Sequence, residues 1–206
     1  MYHGERFNSL THLAGAALAV AGTVALVIVA GRLNDPWKIV SFSIYGTTLV
    51  LLYTFSALYH SLRGRVVKAV FRKLDHSAIY LMIAGTYTPF ALVTLHGAWG
   101  WSLFAVAWAM AVIGIVQEFF VKSDKRLLSL TLYVLMGWMA VAAVKPLIDA
   151  LGFGGFAWLA AGGMLYTAGI AFYAVDERVT HAHGVWHLFV LGGSAAHYTA
   201  ILFYVA

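Results

Sequence analysis

Charged and glycine- or proline-bearing breaks divide this chain into long apolar runs, and that pattern limits its fold more than any single residue does. A helix that crosses a bilayer needs about 20 mostly apolar residues. Seven stretches qualify, at residues 11–31, 39–62, 74–95, 98–121, 127–144, 154–175 and 184–206. Apolar residues make up 62% of the 206 and charged residues only 10%, against roughly 45–50% and 25% in ordinary soluble proteins. A soluble fold of this size cannot hide so much apolar surface. A soluble enzyme, a disordered chain and a disulfide-stapled module are therefore excluded. The expectation is an all-α integral membrane protein, with residues 1–206 forming one seven-helix bundle. No linker, low-complexity stretch or removable signal peptide is evident.

Loop charge orients the bundle. Ten of the 13 Lys and Arg fall in the N-terminal tail and in the second, fourth and sixth loops, and three fall in the others. The positive-inside bias predicts a cytoplasmic N-terminus and an external C-terminus. The net charge of +5 then reads as attraction to the cytoplasmic leaflet and not as a nucleic-acid surface.

Ionisable side chains inside spanning helices are costly, so each is a candidate for function. With this orientation His12, Ser56, His60, Asp75, His183 and His187 all fall near the cytoplasmic face. The chain has no cysteine, so a transition metal would need His, Asp, Glu or water as ligands. His183 and His187 are four apart and share one helix face, as do Ser56 and His60. Three imidazoles with one open position describe a catalytic zinc site. His60, His183 and His187 are the expected ligands. Asp75 would bind the metal or serve as base to a zinc-activated water, and Ser56 would hydrogen-bond the water or a substrate carbonyl. Glu5, Asn8 and His12 step by three and four along one face and would orient the ligands. Plainer readings exist for each part. An HxxxH pair also suits packing or haem, an aspartate at a helix start is often an N-cap, and the Glu5/Asn8/His12 face suits an interfacial helix start.

The other histidines are expected to do less. His3 and His181 read as solvated loop residues, His76 as facing headgroups and His96 as part of a turn. His197 lies ten residues past His187, about 15 Å deeper, and is expected to hydrogen-bond within the bundle. Glu118 is expected to snorkel, and Pro89 to kink the third span. HGVWH lacks the glutamate of an HExxH protease, and neither a GxSxG nor a P-loop sequence occurs.

Glu5-x-x-Asn8-x-x-x-His12, Ser56-x-x-x-His60, Asp75 and His183-x-x-x-His187 together resemble the progestin and adipoQ receptor family. The text HSLRGRVVKAVFRKLDHSAIYLMIAGTYTP is similar to its bacterial branch, the hemolysin III or membrane homeostasis proteins. The resemblance covers essentially the whole chain. It implies seven spans and a bacterial inner (plasma) membrane location. It also implies a zinc ion on His60, His183 and His187, with Asp75 and Ser56 beside it. The wider superfamily is associated with hydrolysis of lipid amides, and the bacterial members with membrane fluidity and cytolysis. The expected function is intramembrane, zinc-dependent hydrolysis of a lipid amide or ester in membrane lipid homeostasis. The alternatives are a non-catalytic sensor or receptor with structural zinc, a cytolysin-like pore, and a haem or proton-relay protein. Membrane lipids are the expected partners, and nucleic acid is not.

Overall fold

A computed structural model describes residues 4–120 and 127–206. All of its regular structure is helical, and no strand occurs among the described residues. Six helical segments among them are long and apolar enough to cross a membrane.

Helix α1 spans Arg6–Arg32 and ends in a tight turn where Asn34 takes a positive φ of 51°. Helix α2, Pro36–Ser61, starts at once. The Asp35 carboxylate accepts hydrogen bonds from the amides of Trp37 and Lys38 at 2.9 and 3.2 Å. Pro36 takes the first helical position, where a missing N–H costs nothing. Helix α3, Arg65–Pro89, begins nine residues before the apolar run that marks it in sequence. The basic stretch Arg65–Lys73 is therefore the opening of a helix and not a loop. It escapes a hydropathy reading because its exposed Val66, Val67 and Val70 alternate with basic residues. Pro89 does perturb the third span. It closes α3 and passes into a π-helical turn, Phe90–Leu95. Its ring cannot coexist with the regular hydrogen bond to the carbonyl four residues back. His96 and Gly97, both at positive φ, then turn the chain into α4, Gly97–Phe120. The expected end of the fourth span at Val121 and the basic break Lys122–Arg126 lie outside the described residues.

Helix α5, Leu127–Trp138, continues through a 3-10 segment, Met139–Ala143, into α6, Val144–Ala174. The sequence reading ends the fifth span at Lys145-Pro146, and the structure corrects this. Pro146 sits in the first turn of α6, where proline is tolerated. The non-helical residue is Gly152, at φ 69° and ψ 171°, a conformation open to glycine alone without strain. Straight, the 48 residues of Leu127–Ala174 would reach about 72 Å, over twice the roughly 30 Å hydrocarbon core. Gly152 interrupts them. Helix α7, Ala182–Tyr204, closes the chain.

The helices pack in sequence, α1 along α2, α2 along α3 and α3 along α4, while α6 lies along α7 and α7 returns to α1. Leu10, Leu13, Leu18, Val24 and Ile28 of α1 are exposed, whereas Ser9 and His12 of the same helix are buried. Further along, the buried face is apolar, with Ala19, Leu26 and Ala30, so the polar interior is confined to the first turns of α1, as suits a helix in apolar surroundings with a local polar site inside.

Candidate metal centre

Three buried or half-buried histidines converge where α2 ends and α7 begins. His60, His183 and His187 offer ligand nitrogens that all lie within 4.8 Å of one another. Their ring centroids stand 4.8–5.1 Å apart. Helical spacing brings His183 and His187 to one face of α7, and α1–α2–α7 packing brings His60 to them.

The ring nitrogens are held in specific states. His187 is fully buried. Its Nδ1 lies 3.1 Å from the Asn8 carbonyl oxygen and 3.3 Å from Thr11 Oγ1. A carbonyl only accepts, so Nδ1 carries the proton and the lone pair is on Nε2. That Nε2 is buried without a hydrogen-bond partner among the described residues, as are both nitrogens of His60. His183 donates from Nδ1 to Asp176 Oδ2 at 2.6 Å, so ligation falls to its Nε2. A carboxylate behind a histidine fixes the tautomer and raises the basicity of the ligating nitrogen, as carboxylate–histidine pairs do at metal sites. Burying imidazole nitrogens without partners is costly, and a cation among them removes that cost. A metal–nitrogen distance of about 2.0–2.1 Å requires each ring to close in by less than about an ångström. The donor set fits a divalent transition metal, and all-imidazole donors suit zinc among others.

Of the other polar residues of the layer, His12, Glu5 and Asn8 adjoin the three. His12 stacks face to face on His187, with centroids 3.5 Å apart and an interplanar angle of 9°. Its edge meets Tyr53 at 5.0 Å. Glu5 Oε1 stands 3.9 Å from His60 Nδ1 and pairs with Lys68 Nζ at 2.6 Å. Asn8 contributes through its backbone carbonyl to His187, not through its side chain. Asp75 is buried and within hydrogen-bonding reach of Ser56, itself buried. Asp75 and His12 line one cavity that runs between α3, α5, α6 and α7 past Met82, Tyr166 and Val190 to His197.

The sequence reading did not single out Asp176, Lys68 or Thr11. Asp176 sits in a charged break that resembles an ordinary loop. The available signal was its place seven residues before His183, a span that one tight turn can close. Two further expectations are corrected. His76 does not face headgroups but lies 3.4 Å, Nδ1 to Oε2, from Glu118. Glu118 does not snorkel but accepts from Ser129 Oγ at 2.7 Å. These polar groups find partners on α3, α4 and α5 because those helices converge there. His181 is exposed and leads into α7, and His3 lies outside the described residues.

Residues 1–198 match the family described as haemolysin-III related. The chain belongs to this family. Hemolysin-3 of Bacillus cereus is 44% identical to this haemolysin-III-related chain over 201 residues, which cover 98% of the chain and 91% of that protein. The hemolysin-3 homolog of Bacillus subtilis (strain 168) is 44% identical over 200 residues, covering 97% and 93%. The monocyte to macrophage differentiation factor of Homo sapiens is 29% identical over 203 residues, covering 96% and 83%. Such coverage makes the whole helical assembly, not one part of it, the unit shared with these relatives.

Proposed function

We propose that this haemolysin-III-related protein is a zinc-dependent hydrolase of lipid amides or esters, embedded in the bacterial inner membrane and acting in membrane lipid homeostasis. The convergence of the His60, His183 and His187 nitrogens carries this reading. The Gly152 turn supports two crossings by the 127–174 segment, hence seven in all. The charge bias supports a cytoplasmic N-terminus and an external C-terminus.

Zinc at such a site supplies a Lewis acid for a carbonyl oxygen and makes water acidic enough to serve as a nucleophile near neutral pH. The protein's own groups do the rest. His60, His183 and His187 hold the ion, with Asn8 and Asp176 fixing the ring orientations of His187 and His183. Asp75 lines the cavity as the base that takes a proton from water and returns it to the leaving amine or alcohol. Ser56 donates to the Asp75 carboxylate and so holds it in one orientation. The mostly apolar cavity between α3, α5, α6 and α7 accepts an acyl chain while the scissile bond reaches the polar end at Asp75 and His12. It also excludes bulk water, which strengthens every polar interaction within it.

The test is release of free fatty acid from an acyl amide by zinc-loaded protein in nanodiscs. Release that stops on chelation and returns with zinc supports the reading. Zinc-loaded, folded protein that releases no fatty acid from either amides or esters refutes hydrolysis. A second reading, a sensor with structural zinc, draws on the way the cluster ties the start of α1 to the end of α2 and the start of α7. Metal-dependent thermal stability without turnover is its signature.

A further inference from the structure

Helix α3 and the π-helical turn after it run for 31 residues, Arg65–Leu95. At the helical rise that is about 46 Å, against roughly 30 Å for the hydrocarbon core of a bilayer and 40–45 Å with its headgroup layers. The excess over the core is close to the length of Arg65–Lys73, about 13 Å. Continuous apolar sequence resumes only beyond it, from Leu74. The basic opening of α3 is therefore the part that stands in the headgroup layer.

Helical spacing gives this opening an apolar stripe. Val66, Val70 and Leu74 recur every fourth residue and floor a groove whose opposite wall is Phe119, in the last turn of α4. Protein does not cover the floor. Val66 is 77% exposed, Val70 51% and Phe119 44%. Bare valine gains nothing from a polar headgroup layer, and an acyl chain laid along it removes it from water.

Two cations line the same groove. Arg65 is exposed at the first position of α3, and Lys73 follows eight residues on. Lys73 Nζ sits 5.2 Å from the centroid of the Phe119 ring and 3.4 Å from the Phe119 carbonyl oxygen. That contact uses one of three donors and holds the ammonium at the groove. The nearby acids are engaged elsewhere, Glu118 with His76 and Ser129, and Glu5 with Lys68. An exposed apolar floor flanked by Arg and Lys is complementary to a molecule with an anionic head and a hydrocarbon chain.

We propose that this groove binds one anionic phospholipid of the adjoining leaflet, its phosphate held by Arg65 and Lys73 and an acyl chain along Val66, Val70, Leu74 and Phe119. The groove shares no lining residue with the cavity at Asp75 and His12, and the lipid here is a ligand, not a substrate.

The test is native mass spectrometry of the full chain in detergent, titrated with phosphatidylglycerol or with phosphatidylcholine of the same chains. Both are ether-linked, so ester hydrolysis cannot intervene and the result is independent of the hydrolytic proposal. Wild type should retain one phosphatidylglycerol about 30-fold more tightly than phosphatidylcholine, the worth of two basic side chains at a headgroup. The difference should shrink as salt rises. In Arg65→Gln/Lys73→Gln the preference should vanish. Arg65→Gln alone, at an exposed position, should lower it about fivefold and stands as the test if the double variant fails to fold. Val70→Gln, which leaves the charge unchanged, should weaken both lipids. Arg178→Gln, in the exposed turn before α7, should leave the preference intact. Equal binding of the two lipids, a preference that survives in Arg65→Gln/Lys73→Gln, or a loss in Arg178→Gln as large as in Arg65→Gln overturns the proposal.

Discussion

Asp176→Asn should weaken zinc binding without unfolding the protein. Asp176 Oδ2 accepts from His183 Nδ1 at 2.6 Å, and the carboxylate side chain is 7% exposed while that of His183 is 21% exposed. A short, largely desolvated hydrogen bond to a charged acceptor is worth about 1.5–3 kcal/mol. Asparagine keeps the shape and an acceptor oxygen but removes the charge that raises the basicity of the imidazole. Losing most of that energy corresponds to roughly a 10- to 100-fold fall in affinity. Competition against a zinc chelator of known affinity, in detergent, reads the change. Asp149→Asn is the control, since Asp149 is exposed and, among the described residues, pairs with its helical neighbour Lys145 at 2.6 Å. Equal zinc affinity in Asp176→Asn and wild type would refute the role given to this carboxylate.

Other outcomes follow from the same contacts. Asp75→Asn should retain zinc but lose about 100-fold or more in lipid hydrolysis, the usual worth of a general base, as measured by fatty-acid release. Ser194→Ala should cost about 1–3 kcal/mol of stability, because it strips a partner from both Tyr53 and Tyr166. Tyr166→Phe should cost less, since it removes one hydroxyl and leaves the Tyr53–Ser194 bond, and thermal denaturation of the two variants ranks them. Gly162→Ala should destabilise by about 1–3 kcal/mol through collision with the His197 ring, in the same assay.

The helical character and the His183–His187 pair were legible because both depend on period, and His60 fell in the same layer through the order of spans and the loop charges that orient them. Apolar runs of membrane length and a four-residue histidine spacing survive in one dimension. The start of α3 was not, because Val66, Val67 and Val70 are interleaved with Arg65, Lys68 and Arg72, and hydropathy averages them into a basic loop. The end of the fifth span was misplaced because Pro146 looks like a stop, whereas it sits at a helix start and Gly152 makes the break. Asp176 and the His76–Glu118 pair were missed for a different reason. Their partners are chosen by packing between elements, and a charged residue near a membrane boundary has the same appearance in sequence whether it meets water or a buried imidazole. Asn8 shows the limit from the other side. Its position on the polar face was readable, but its contact with His187 is made by a backbone carbonyl that any residue would supply.

Metal content of detergent-purified protein by elemental mass spectrometry, with His60→Ala and His187→Ala measured alongside, tests the metal centre most directly. The geometry predicts about one metal ion per wild-type chain and loss of it in both variants, as for a site with only three protein ligands, and the proposed function predicts that this ion is zinc. Folded wild-type protein without zinc, or variants that keep it, would contradict the assignment.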